Sequence, residues 1–252
     1  MKLLIFQKGF NYSQDGPGNR LVYHLQGCNL RCPWCANPEG IRPGGTPMHV
    51  GGRERLSCRE YGVGELCAEA ESCREMFFEG GGVTLTGGEP TLQFEAVREF
   101  LECLRGSGIH TAVETNGTHP RLNALLPLID FLIMDVKHWD GDAHRLATGA
   151  GNERTLENLA RILEAGRSVA IRIPLIGGFN ASAEDMEGFL ELFRGLPMQN
   201  ATVELLRYHE YGKEKWAQCG MAYTMENGFV EPPFAAKMEQ RLRDSGIRVI
   251  RT

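Results

Sequence analysis

The sequence has no long apolar run. Its first ten residues, MKLLIFQKGF, hold only four apolar residues in succession, too few for a signal peptide, and no later run approaches a membrane span. Basic excess is also absent: a net charge of −5 argues against a nucleic-acid role built on phosphate contacts. Internal repeats, low-complexity tracts and linkers rich enough to divide the chain are lacking. All 252 residues are therefore expected to form one domain with a large core. These absences predict a cytoplasmic protein with neither a membrane nor a nucleic-acid partner.

The most informative absence is a fourth cysteine. GCNLRCPWCANPEG, residues 27–40, places Cys28, Cys32 and Cys35 close together with no fourth thiol beside them. Without a secretory signal, the eight cysteines are expected as thiols or metal ligands and not as disulfides. Three thiolates can bind three irons of a [4Fe–4S] cluster and leave the fourth iron open. A structural zinc site with a distant histidine, or reduced cysteines without metal, are the alternatives, although zinc sites more often use paired Cys-x2-Cys units.

β-rich runs alternate with helical patterns along most of the chain. Strands are expected at 20–27, 82–87, 110–115, 130–137, 168–176 and 201–208, with a further one at 247–250. Phe94, Val97, Leu101 and Leu104 have helical spacing, as do Leu156, Leu159 and Leu163. Met186, Phe189, Leu190 and Phe193 follow a capping box formed by Ser182 and Asp185. Such alternation implies a parallel sheet with helices outside it. Six units are too few for a closed barrel of eight, so the expected fold is α/β, a partial (β/α)6 barrel open on one side. Residues 36–82 read as a long loop followed by a helix from about 65 to 78. Polar and glycine-rich residues gather at strand ends (87–90, 115–117, 135–137 and 208–209), where parallel α/β folds bind ligands.

Cys28, Cys32 and Cys35, with Trp34 before the last, resemble the signature of radical S-adenosylmethionine (SAM) enzymes. In that superfamily the amino and carboxylate groups of SAM fill the open iron site. TGGEP (86–90) resembles the motif that holds the methionine amino group. DGPGNR (15–20), ETNG (114–117), MDVKH (134–138), RIPLIGGFN (172–180) and LLRYHEYGKEKW (205–216) resemble segments of the activases of glycyl radical enzymes. The similarity runs from about Asp15 to Tyr223.

The resemblance implies the radical SAM type of barrel, one [4Fe–4S] cluster on Cys28, Cys32 and Cys35, and bound SAM. It assigns SAM contacts to Trp34, Cys35 and Ala36, to Gly87, Gly88 and Glu89, and to Thr115 and Asn116. Asp135, Val136, Lys137, Arg172 and His209 complete that set. Asp15 is implied beside the glycine that loses hydrogen. Glu114, Thr115, the Ile133 carbonyl and Asp135 would surround a monovalent cation. Glu114 stands where the family has Asp, and its extra methylene would shift or abolish that site. Gly177 and Arg207 each replace a family proline.

Each residue also has a structural reading. Asp135 and Lys137 could form a surface ion pair, and His209 could be a satisfied core histidine. Arg172 interrupts an apolar strand and needs a buried partner on either reading. Cys58, Cys67 and Cys73 lack the tight spacing of a second cluster, and with Cys103 and Cys219 they read as small buried hydrophobes.

The expected function is reductive cleavage of SAM and removal of hydrogen from a glycine Cα of a partner enzyme, under anaerobic conditions. The expected partners are that glycyl radical enzyme and a flavodoxin- or ferredoxin-type electron donor, and the activase itself is expected as a monomer. The alternatives are a radical SAM enzyme acting on a small molecule, such as a 7-carboxy-7-deazaguanine synthase, and a non-catalytic iron–sulfur or zinc module.

Overall fold

The computed structural model describes residues 1–251. In chain order its elements are β1 (Lys2–Tyr12), β2 (Asn19–Leu25), β3 (Pro47–Val50), β4 (Arg53–Leu56), β5 (Arg59–Gly62), α1 (Val63–Ser72), β6 (Gly82–Gly87), α2 (Phe94–Gly106), β7 (Thr111–Thr115) and β8 (Phe131–Asp135). They continue with α3 (Gly141–Thr148), α4 (Glu153–Glu164), β9 (Val169–Leu175), α5 (Ala183–Arg194), β10 (Ala201–Arg207), α6 (Lys213–Gln218), α7 (Pro232–Asp244) and β11 (Val249–Ile250).

One nine-stranded sheet runs in the order β11-β10-β9-β8-β7-β6-β2-β1-β5. Six strands, β2 and β6 to β10, are parallel neighbours and match the six strand–helix units expected from the alternation. β11 joins β10 in parallel, as the 247–250 segment suggests. β1 lies antiparallel to β2, and β5 antiparallel to β1. Among the described residues the edge strands β5 and β11 do not pair with each other, so the sheet keeps two edges. Among the described residues no helix is long and apolar enough to cross a membrane.

The period of two along each strand sorts the side chains by face. Leu21, Tyr23 and Leu25 of β2, Val83 and Leu85 of β6, Leu132 and Met134 of β8, and Ile171 and Ile173 of β9 pack in the apolar core with helices α2, α4 and α5. The alternate positions are mostly polar or small (Arg20, Thr84, Thr86, Ala112, Glu114, Asp135, Ala170, Arg172 and Glu204), with Val22 and Ile133 among the apolar exceptions. The helices thus take the greasy face, and the interior of the curved sheet is left for charge. Helix α5 starts on the capping box read from sequence, with the Ser182 hydroxyl accepting from the Asp185 N–H at 3.0 Å.

The 36–82 segment is more regular than a loop followed by a helix. Val50 and Arg53 pair across Gly51–Gly52, both at positive φ (58° and 74°), which is the two-residue turn that glycines favour between antiparallel strands. Helix α1 covers 63–72, and 74–76 forms a separate 3-10 turn, so the expected helix to 78 ends early. The expectation of eight unbonded cysteines also fails. Cys67 on α1 and Cys103 on α2 are joined in a disulfide, because the packing of these helices brings their Cα atoms to 6.4 Å. Cys58, Cys73 and Cys219 are free.

His24, on the inner face of β2, has its Nδ1 buried without a hydrogen-bond partner. Burial, against the pull of Glu114, pushes its imidazole down to about 4 from the usual 6.5. A depressed histidine pKa contributes stability that is present above the unfolded value and lost as pH falls towards the folded one. The urea midpoint of the wild type should therefore fall more steeply between pH 6.5 and pH 4.5 than that of His24→Gln. Parallel curves for the two proteins would contradict this assignment.

Candidate active site

The three clustered cysteines line one cavity of about 250 Å³ at the C-terminal ends of the parallel strands. Cys28, Cys32 and Cys35 share it with Gly87 and Gly88 of β6 and its turn, Glu114 to Asn116 at the end of β7, and Asp135 and Lys137 at the end of β8. Pro174, Ile176, Leu206 and Tyr208 give it an apolar side, and His209 closes the rim. Five strand ends therefore meet the cysteine loop, those of β6 to β10, and four of them are the ones their sequence positions suggest.

Backbone stitching holds that loop. Gly27 N–H donates to the Gly40 carbonyl (2.7 Å) and Cys28 N–H to that of Ile41 (2.9 Å). Gly88 N–H donates to the Leu25 carbonyl (2.9 Å) and Glu89 N–H to that of Gly27 (2.7 Å). A Cβ on Gly88 would lie 2.1 Å from the Gly27 oxygen, so the close approach requires glycine. From the other side helix α6 clamps the loop. Trp216 Nε1 donates to the Cys35 carbonyl (2.9 Å), and Lys215 Nζ to Asn37 Oδ1 (2.9 Å). A Cβ on Gly212 would lie 2.6 Å from Ala36 Cα. The glycine, lysine and tryptophan of YGKEKW thus act on the cysteine loop.

The thiols suit a metal cluster by their chemistry. Burial pushes Cys28 up, Cys32 up to about 11 and Cys35 up to about 12, while Lys137 pulls all three back. Bare thiols here stay neutral near pH 7, and bound iron removes their protons. Backbone N–H groups already point at two sulfurs, Leu30 at Cys28 and Asn37 at Cys35, both at 3.4 Å. Three sulfur donors, a buried cation and a shared void fit a cluster with three cysteine ligands.

Beneath the cavity lies a charged layer. Arg172 Nη1 donates to Glu114 Oε1 (2.7 Å), its Nε to Glu204 Oε2 (2.9 Å), and its Nη2 to the Gln14 carbonyl. These are the buried partners that Arg172 requires. Thr86 donates to the second Glu114 oxygen (2.7 Å). Burial would raise Glu114, but Arg172 and Thr86 outweigh it and hold its carboxyl below the usual range. Lys137 Nζ donates to Asp135 Oδ2 (2.6 Å), and the pair is mostly buried, not at the surface. Burial opposes the ammonium, yet Asp135 and the thiols keep Lys137 raised and protonated.

Not every expected residue reaches the cavity. Trp34, Cys35, Ala36, Gly87, Gly88, Thr115, Asn116, Asp135, Lys137 and His209 line it. Glu89 does not: it is fully buried, with Oε1 accepting from Thr91 N–H (3.0 Å) and Thr115 Oγ1 (2.8 Å) and Oε2 from Asn116 N–H (2.7 Å). It braces the turn after β6 against ETNG. Val136 packs in the apolar core, and its N–H donates to the Arg172 carbonyl (2.8 Å). Arg172, Ile133 and Asp15 also lie outside the lining. Asp15 accepts from Asn11 Nδ2, and its carbonyl takes the Thr84 hydroxyl (2.7 Å), two residues below Thr86. Sequence reasoning missed Thr86 and Asn37 in the lining; an alternating strand with polar residues at both inner positions, such as GVTLTG, carries the signal for the first.

The comparisons agree with this geometry. The Radical SAM superfamily model matches residues 22–193. The 4-hydroxyphenylacetate decarboxylase activating enzyme of Clostridioides difficile is 30% identical, over 92% of this chain and 90% of its own. The choline trimethylamine-lyase activating enzyme of Oleidesulfovibrio alaskensis is 33% identical, over 89% of each chain. The pyruvate formate-lyase 1-activating enzyme of Escherichia coli is 33% identical, over 90% and 88%. Among solved structures, a domain of a pyruvate-formate lyase-activating enzyme from Bacteroides vulgatus is 29% identical, with a TM-score of 0.57 over 68% of this chain and 98% of that one.

Removing the bridge beneath the cavity should be costly. Arg172→Ala leaves two buried carboxylates facing no guanidinium, and breaking such a network costs about 3–5 kcal/mol. Arg172→Lys keeps the charge without the fork and should cost less. Urea unfolding of the iron-free protein measures both, and a loss below about 1 kcal/mol for Arg172→Ala would contradict the bridge. With the cavity, its cysteines and these relatives together, the chain belongs to the radical SAM superfamily and, within it, to the family of activating enzymes that the relatives represent.

Proposed function

We propose that the protein installs a glycyl radical on a partner enzyme. The observation that carries this reading is the shared cavity of Cys28, Cys32 and Cys35 with Asp135, Lys137 and His209, in a chain whose relatives are activating enzymes. A [4Fe–4S] cluster held by Cys28, Cys32 and Cys35 would supply the one-electron reduction that cleaves the C5′–S bond of SAM into methionine and a 5′-deoxyadenosyl radical.

The chain's own residues bind and orient. Gly87 and Gly88 pack the turn after β6 against the backbone of β2 and the cysteine loop, where a Cβ would overlap, and so set that turn beside the methionine end of SAM. Asp135 and Lys137 present a fixed charge pair to its polar groups. His209, stacked on Tyr211 at 4.3 Å, and Trp34, packed on Phe179 at 4.5 Å, offer aromatic surface to the nucleoside. Pro174, Ile176 and Leu206 keep water from the reacting carbon. Asp15 meets the incoming peptide and is coupled to the cavity through Gln14, Arg172 and Glu114. Arg172 and Lys137 supply the positive charge that a monovalent cation would bring to Glu114 and Asp135.

The chain is read as one radical SAM domain with a single cluster, acting as a cytoplasmic monomer. Its alignment with the C. difficile relative runs over 291 positions, more than its own 252 residues, so that relative carries insertions that this chain lacks. With the E. coli relative it runs over 231.

A glycine Cα–H is a sound target, since the resulting radical is shared with the flanking amides, and holding it against the 5′ carbon is a task of positioning. Anaerobic incubation of the reduced protein with SAM and a glycyl radical enzyme encoded beside it should yield 5′-deoxyadenosine, methionine and a carbon-radical doublet in the electron paramagnetic resonance spectrum. That doublet should collapse when the glycine is deuterated at Cα. SAM cleavage with no radical on the partner, but with turnover of a purine-like small molecule, would transfer the assignment to a deazaguanine-type synthase.

A further inference from the structure

Most lysines and arginines of this chain sit against a carboxylate. Among the described residues ten do not, and half of those ten fall in one stretch of the chain. Arg31, Arg42, Arg53, Arg55 and Arg59 are exposed, and among the described residues none has a carboxylate in ion-pair contact. The acids nearby do not neutralise them. Glu39 is buried on Lys215 (2.8 Å), Glu60 is engaged by Lys2 (2.6 Å), and only Glu54 remains on the hairpin.

The segments that carry these arginines are anchored around the end of β2, where the cysteine loop begins. Arg31 belongs to that loop, with Nη1 on the Cys28 carbonyl (2.8 Å). The Arg42 carbonyl accepts from Gln26 Nε2 (2.7 Å), two residues before Cys28. Arg53 and Arg55 lie on β4, and just beyond that strand Ser57 Oγ donates to Gln26 Oε1 (3.0 Å). Ile5 of β1 pairs with Arg59 on one side and with Leu25, the last residue of β2, on the other. None of the five lines the cavity. They are a collar outside it, on the cysteine side.

We infer that this arginine collar is the docking surface for an acidic electron-donor protein carrying a reduced flavin or iron–sulfur centre. The inference rests on the radical SAM reading, since a cluster that cleaves SAM must be reduced from outside the chain. In the step served, one electron leaves the donor's centre, which is oxidised by one electron, and enters the cluster, which is reduced by one; no bond forms or breaks. An electron needs only to reach the outer side of the cysteine loop, whereas the glycine of a substrate protein must enter the cavity. A chain of net charge −5 repels an acidic protein on average, so a local basic field has to orient the encounter.

The test uses the triple variant Arg53→Glu, Arg55→Glu, Arg59→Glu, none of which touches the cavity, and reduced acidic flavodoxin as the probe. With flavodoxin as reductant, 5′-deoxyadenosine formation should fall by about tenfold or more at low ionic strength. Added salt should slow the wild type and barely change the variant. With dithionite the two proteins should be equal, which also verifies folding and cluster content. A flavodoxin-driven rate within about twofold of wild type would overturn the inference. So would an equal loss with dithionite, or a variant that cleaves SAM normally but no longer transfers the radical, which would give the collar to the glycyl radical enzyme instead. If the wild type itself fails to cleave SAM with dithionite, it is the radical SAM reading that fails.

Discussion

Arg172 lies between Glu114 and Glu204, with its third arm on the Gln14 carbonyl, and the interior of the sheet depends on that bridge. A lone buried charge costs several kcal/mol, and pairing recovers that cost only when the geometry is good. The bridge spans β7, β9 and β10 and reaches the segment before β2, so it fixes the strands that meet at the cavity floor. An apolar filling could be as stable. What the charged layer adds is a polar interior, into which a zwitterionic ligand can enter without stranding its own charges.

The same economy governs the cysteine loop. Its carbonyls and N–H groups are taken up by 40–41, by 88–89 and by helix α6, so the loop needs no secondary structure of its own. Gly88 and Gly212 allow those contacts because a Cβ at either would overlap backbone. Glu89 stays behind the surface and holds the β6 turn against Thr115 and Asn116. The cavity is thus shaped by residues that do not line it.

Much of this was legible in the sequence. The six parallel strands follow from apolar runs of strand length, and the cysteine loop from its spacing. What was not legible depended on partners distant in the chain. β1 buries fully only Leu3 and Ile5 and shows little alternation, because its sheet position comes from pairing with β2. The β3–β4 hairpin turns on Gly51–Gly52, but its strands are short and mostly exposed, so the segment reads as a loop. A GGE motif gives no hint that the carboxylate points inwards; that is decided by Thr91, Thr115 and Asn116 closing around it. The bond between Cys67 and Cys103 likewise follows from helix packing and not from spacing.

The central claim is that three cysteines leave one iron of a [4Fe–4S] cluster open and that SAM occupies it. Electron–nuclear double resonance on the reduced, reconstituted protein tests this directly, with SAM labelled by 15N at the amino group and 17O at the carboxylate. The account predicts hyperfine coupling of both labels to the cluster. A cluster spectrum that shows neither coupling at saturating SAM would contradict it.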